Sequence, residues 1–190
     1  ADAVAVTVET RRRDAIVLEK QLAILERALK ANPRSEDLNA EYIELCRRRL
    51  DLGEVEALWR KTVFTHAASV RLWRDCLAFM TSELSIFSVA KAEAQFSKAL
   101  EVWGSFVKGS FSSHRVDPGE AEAAVLDIAI ESIYFTRQCG FGERALASFQ
   151  AFVEMTCFAP AELATGGQQS KLMALFELFW DGGQAKFGDA

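Results

Sequence analysis

Two stretches of 24 residues, "AILERALKANPRSEDLNAEYIELC" from Ala23 to Cys46 and "ALWRKTVFTHAASVRLWRDCLAFM" from Ala57 to Met80, lie over one another without a gap at an offset of 34 residues. The matched positions are those a core would need: Ile24 with Leu58, Leu29 with Val63, Ser35 with Ser69, Leu38 with Leu72, Ile43 with Leu77 and Leu45 with Phe79. Within the first stretch Ile24, Leu25, Ala28, Leu29 and Ala31 share a helical stripe, polar residues interleave it, and Asn32 and Pro33 stop it. "AQFSKAL", Ala94 to Leu100, repeats "AILERAL" once more, 37 residues after the preceding unit. A period of about 34 residues made of two helices is the pattern of tetratricopeptide-like arrays, in which one helix pair cannot bury both faces and must stack on its neighbours. The expected fold is therefore all-α: a right-handed α-solenoid of antiparallel helix pairs.

Working outward, the chain reads as helix after helix. A first helix runs from about Arg11 to Ala31, and Ser35 caps a second, from Glu36 to about Leu50. A third spans about Glu54 to Thr65, Ser69 opens a fourth, and a fifth covers about Phe87 to Val107. Lys108 to Gly119 is the interior loop, with Pro118 placed to start the sixth helix, which runs to about Cys139. The seventh spans Glu143 to about Phe158 and the eighth Lys171 to Trp180, after the polar "TGGQQS". Residues 1–10 are read as an N-terminal extension or cut edge, residues 11–181 as the helical-repeat domain, and residues 182–190 as a flexible tail. "VAVTVE", Val4 to Glu9, alternates like a strand, but one unpaired segment makes no sheet.

Of 190 residues half are hydrophobic and 26% charged, which fits a globular chain and not a disordered one. No apolar run approaches the ~20 residues of a membrane span, and the N-terminus lacks the order of a signal peptide. Cys46, Cys76, Cys139 and Cys157 are widely spaced inside apolar helical patterns and read as reduced core thiols of a cytosolic or nuclear protein. With only His66 and His114, no zinc site assembles, and no nucleophile–base pair or cofactor motif stands at working spacing. "GFGE" at Gly140 follows a helix and not a strand, so it reads as a helix stop. A non-enzyme without metal or cofactor is expected.

The net charge of −5 is uneven: residues 1–80 carry 14 basic against 13 acidic residues, and residues 81–190 carry 8 against 14. Only the first part suits a polyanion. Arg47, Arg48, Arg71 and Arg74 are the candidate RNA-binding residues, with Arg49, Arg60 and Lys61 beside them, although Glu41, Glu44 and Asp75 stand on the same helices to pair with them. Trp59, Trp73 and Trp103 have core spacing. Phe176, Phe179 and Trp180 close the last helix before a glycine turn and either fold back as a cap or reach a partner protein. Ser110, Ser112 and Ser113 offer loop hydroxyls for phosphorylation.

The aromatic-rich "LWRDCLAF" and the "ERAL" run resemble the half-a-tetratricopeptide repeat: Leu72, Trp73 and Phe79 fit it, Cys76 and Met80 depart, and in the preceding unit Tyr42 fits while Asn39 replaces the Trp. "IYFTRQCGFGERALASFQAFVEMTCFAP", Ile133 to Pro160, and "LFELFWDGG", Leu175 to Gly183, resemble the C-terminal repeat region of the nuclear-RNAi-defective, or "necessary for RNA interference", family. The matching residues are Arg137, Gln138, Gly140, Glu143, Ala145, Phe149, Gln150, Phe152 and Val153, then Phe179, Trp180, Asp181 and Gly183, with Gly182 in place of the usual Ser. The resemblance runs from roughly Ile16 to Gly188. It implies a nuclear scaffold in RNA processing and RNA-interference silencing, with splicing and RNA-interference factors as partners. It also implies that the exosome-associated helicase is met by a segment outside this chain. Direct RNA binding is the alternative, and self-association as a homodimer stays open.

Overall fold

The computed structural model describes residues 2–110, 116–160 and 169–189, with side chains from Arg12 onward in the first stretch and from Lys171 in the last. Among them it is all-α, with eight helices and no strand: α1 (Asp2–Ala31), α2 (Glu36–Cys46), α3 (Leu52–Thr65), α4 (Val70–Ser82), α5 (Val89–Val107), α6 (Pro118–Gln138), α7 (Gly142–Cys157) and α8 (Gln169–Asp181). Contacts divide the chain into two compact units, Ala1–Val125 and Leu126–Ala190.

Starts and stops follow side-chain chemistry. Ser35 and Ser69, equivalent under the offset of 34, each accept from the backbone N–H three residues on, Leu38 at 3.3 Å and Leu72 at 3.2 Å. Each supplies an oxygen to a helix-start donor that has no intrahelical acceptor. Asp51 and Glu54 form a reciprocal capping box at the start of α3. Asp117, before Pro118, accepts from Gly119 and Glu120 N–H at 3.0 and 3.3 Å. Gly140 takes φ 91, which closes α6 in the left-handed region that favours glycine.

Two boundaries differ from the sequence reading. The first helix begins at Asp2 and not near Arg11, so "VAVTVE" is helical. An alternating run with no strand to pair with has only the helix ladder to satisfy its backbone, and no Gly or Pro interrupts it before Asn32. The second helix stops at Cys46 and not near Leu50: Arg47, Arg48, Arg49 and Leu50 turn back onto the carbonyls of Ile43, Leu45 and Cys46 so that Asp51 can open α3.

In the first unit α1 packs on α2, α2 on α3 and α4, α3 on α4, and α4 on α5. Leu22, Leu45 and Cys46 form one buried cluster with Leu18, Leu25, Tyr42, Leu50 and Leu58 against it. Val55, Leu72, Cys76, Ala92 and Ala99 are wholly buried; a side chain the size of Val or Leu contributes roughly 1.5–3 kcal/mol when so placed. Trp59, Trp73 and Trp103 are core residues as their spacing predicts, and Trp73 Nε1 donates to the Ala67 carbonyl at 3.0 Å. All four cysteines are free thiols, Cys46 and Cys76 buried. Cys139 is half-buried and Cys157 exposed, against the core reading, because Cys157 closes α7 at its solvent end. Within the segment expected as a flexible tail, Phe187 meets Gln150 and Glu154 of α7 and the ring of Phe158 just after it.

Candidate functional site

Arg47 and Arg71 line one groove of ≈ 440 Å³ between α2 and α4. Their charge is already answered. Arg71 pairs with Asp37, its neighbour across the offset of 34, and lies 4.0 Å from Asp75; Arg47 pairs with Glu83 and lies 3.6 Å from Glu44. Asp37 and its neighbours hold the Arg71 guanidinium above its ordinary range, first through the direct hydrogen bond. Glu41 lines the same groove, which therefore holds four carboxylates (Asp37, Glu41, Glu44, Asp75) to two guanidinium groups. Arg48 lies exposed in the turn after α2, and Arg74 is exposed on α4 and engaged in a contact of its own. Neither Arg48 nor Arg74 lines the groove. Arg60 is bound to Glu56 at 2.7 Å. The sequence shows Glu44 and Asp75 as competitors; Asp37 and Glu83 become visible only once α2 and α4 are side by side.

At the end of the second unit, Phe176 stacks on Trp180 with centroids 5.6 Å apart and meets Phe179 at 6.3 Å. All three are half-buried. Phe176 and Phe179 line a pocket of ≈ 340 Å³ with Phe158, Pro160 and Leu172, and Lys186 Nζ stands 5.2 Å from the Trp180 ring centroid. The cluster packs within its own unit and still presents aromatic surface. A second apolar groove in this unit, ≈ 390 Å³, is lined by Ile130, Tyr134, Leu146 and Phe149 of α6 and α7.

A further apolar groove among the described residues has no motif in the sequence to mark it. It lies between α3 and α5, measures ≈ 890 Å³, and is lined by Val63, Phe64, Ala67, Trp73, Ala94 and Val102, with Arg60, Lys91, Lys98 and Glu101 at its edges. Phe64 is 85% exposed. It sits about half a turn round α3 from the buried Val55 at ~100° per residue, which is the signal that could have found it.

Among the described residues the ionisable groups of the core are the Glu56 carboxylate, paired with Arg60 and Lys91, and a set of thiols and a phenol. Burial pushes the Cys76 thiol up to about 12, and burial together with Cys46 and Glu26 pushes Tyr42 up to about 12. Burial also raises the Cys46 thiol. Such thiols are inert packing groups. No cluster of His, Cys, Asp and Glu suited to a metal ion occurs among the described residues, and no described helix is long and apolar enough to cross a membrane. Ser112 and Ser113 lie outside the described residues, and Ser110 is exposed beyond α5.

The chain is thus an all-helical protein whose surface features are grooves between helices. Residues 3–190 match the family described as NRDE-2, necessary for RNA interference. The chain belongs to that family. It is 36% identical over 185 residues to the human protein named nuclear exosome regulator NRDE2, covering 95% of this chain and 16% of the human one. It is 35% identical to the mouse protein of the same name over 92% of this chain and 15% of the mouse one, and 27% identical to the Dictyostelium discoideum protein of that name over 85% of this chain and 13% of that one. The chain therefore spans about a sixth of the length of the mammalian relatives it matches. No solved structure matches it.

Proposed function

We propose that this stretch is a non-catalytic scaffold that holds partner proteins in nuclear RNA surveillance and RNA-interference silencing, built as a right-handed solenoid of half-a-tetratricopeptide-like helix pairs. The nuclear and exosome-regulating role rests on the names of the relatives and on the family. The solenoid reading draws support from serine caps recurring at an offset of 34 and from an Asp37–Arg71 ion pair spanning that same offset. Splicing and RNA-interference factors are the partner classes, and the exosome-associated helicase is met through a segment outside this chain.

The observation that carries the interaction reading is the open α3–α5 groove with Phe64 at its edge. A large ring left almost fully in water beside an apolar floor does nothing for folding, whereas buried aromatics dominate protein interfaces. Direct RNA binding is the second reading, and the acid-rich α2–α4 groove weighs against it. The test is affinity capture from nuclear extract by the tagged chain, with and without RNase, blotting for exosome subunits and identifying other retained proteins by mass spectrometry. Phe64→Asp is run in parallel. RNase-resistant partners that Phe64→Asp releases are the expected result. Partners lost to RNase and indifferent to Phe64 would put RNA binding first.

A further inference from the structure

After α8 the chain passes Gly182 and Gly183, the latter at φ 67, and returns along α7. Residues Lys186–Asp189 there form a closed turn: Asp189 N–H donates to the Lys186 carbonyl at 2.9 Å, Gly188 has φ 86, and Asp189 Oδ2 accepts from Lys186 N–H at 2.7 Å. A glycine with positive φ at the third position is the signature of a type II turn.

Two residues of α7 and the residue that caps its C-terminus, each four positions beyond the last, read this turn. Glu154 Oε1 accepts from the Phe187 N–H at 2.7 Å. Gln150 Nε2 donates to the Phe187 carbonyl and to Asp189 Oδ1, both at 3.0 Å, and the Phe158 ring lies 6.1 Å from that of Phe187. The i, i+4 spacing sets Gln150 and Glu154 in one row on α7, and Phe158 follows at its C-cap. Both backbone groups of one residue and its ring are thus met by three different side chains, while Lys186 lies over Trp180.

A segment serving only to seal the fold would bury its anchor. Here Phe187 remains 48% exposed and Phe158 60% exposed, and every hydrogen bond of the set is at the surface. Polar side chains on a rigid helix, reading the main chain of a segment that follows a glycine pair, make the arrangement of a binding site filled in cis.

We propose that Gln150, Glu154 and Phe158, with Trp180, form a docking site for a Lys–aromatic–Gly–acidic turn, which residues Lys186–Asp189 occupy in cis and which a partner protein displaying the same turn takes over. Lysine is met by an aromatic face, the aromatic by Phe158, and the carboxylate by the Gln150 amide. The turn's glycine supplies positive φ. The inference rests on the scaffold reading and names the chemistry of one of its partners.

The test titrates a fluorescent peptide, QAKFGD, into the full chain carrying Phe187→Ala, into the unchanged chain, and into Phe187→Ala with Gln150→Ala and Glu154→Ala. Phe187→Ala should bind saturably, and the unchanged chain at least about ten-fold more weakly, because the tethered turn competes at an effective millimolar concentration. The triple variant should lose binding. Hydrogen exchange keeps the question open to refutation if the variants fold poorly: in the unchanged chain, excess peptide should speed exchange at the Phe187 amide. No binding to Phe187→Ala, binding indifferent to Gln150 and Glu154, or a dimer in sedimentation that Phe187→Ala dissolves would each overturn the proposal. Failure here with RNase-resistant partners intact would remove this site and leave the scaffold reading standing.

Discussion

Trp73 and Trp103 permit a matched experiment on what a buried indole N–H is worth. Both are 2% exposed and both lie in the unit Ala1–Val125, so one unfolding transition reports on both. They differ in the nitrogen. Trp73 Nε1 donates to the buried Ala67 carbonyl at 3.0 Å, whereas Trp103 Nε1 is buried beside Phe106 with no acceptor among the described residues. Replacing either by Phe shrinks a core ring, at about 1–2 kcal/mol on the scale of large-to-small core changes. At Trp73 the substitution also removes a hydrogen bond worth about 1 kcal/mol and leaves a buried carbonyl unanswered, for a total near 3 kcal/mol. At Trp103 it removes a donor whose burial costs roughly 1–3 kcal/mol, which cancels the loss of volume. The two variants should therefore differ by about 3 kcal/mol. Urea unfolding followed by circular dichroism, with slopes near 1–3 kcal/mol/M, should place their midpoints more than about 1 M apart, Trp103→Phe being close to the unchanged protein. Equal midpoints, or Trp103→Phe as the weaker protein, would refute the reasoning.

Two further changes follow from the same core. Because burial holds the Cys76 thiol at about 12 against an ordinary 9.0, the folded state keeps a proton that the unfolded state releases. Stability from this residue is intact below pH 9 and is lost as pH rises toward 12, by up to about 1.4 kcal/mol per pH unit, so Cys76→Ala should flatten alkaline denaturation curves measured across that window. In the native protein a thiol reagent should modify the exposed Cys157 long before Cys76, read by peptide mass mapping. Asp51→Ala removes the half of the α3 capping box made by the Asp51 carboxylate, which accepts from Glu54 N–H, and should cost about 1 kcal/mol by urea unfolding, with Asp51→Asn nearer the unchanged protein.

What the sequence makes legible is what recurs. Ser35 and Ser69 are readable as caps because a hydroxyl three residues before a free N–H has one local use, and the offset of 34 sets them in register. The buried Trp residues are readable because helical spacing alone places them inward. Contacts between residues far apart in the chain have no such local signature. The Arg71–Asp37 and Arg47–Glu83 pairs depend on helices two elements apart lying side by side, and the reading of Phe187 by α7 depends on where the segment after α8 is sent by two glycines. The α1 start is illegible for the opposite reason: valine alternation is a local strand signal, overridden where there is no partner strand.

The repeat also supplies an internal control for function. Under the offset of 34, Phe64 stands where the preceding unit has Lys30, and under the spacing of 37 it stands where the next has Glu101. Lys30 and Glu101 are exposed, as Phe64 is, so three successive units place this position in water and two fill it with a charge. Helix packing therefore asks for nothing apolar here, and a phenylalanine at 85% exposure carries a cost in solubility that the fold does not recover. The remaining use for the ring is a surface outside the chain. By the same comparison, a charged residue at position 64 should leave the urea midpoint unchanged while releasing the partner, and that separation of stability from binding marks an interface residue and not a core one.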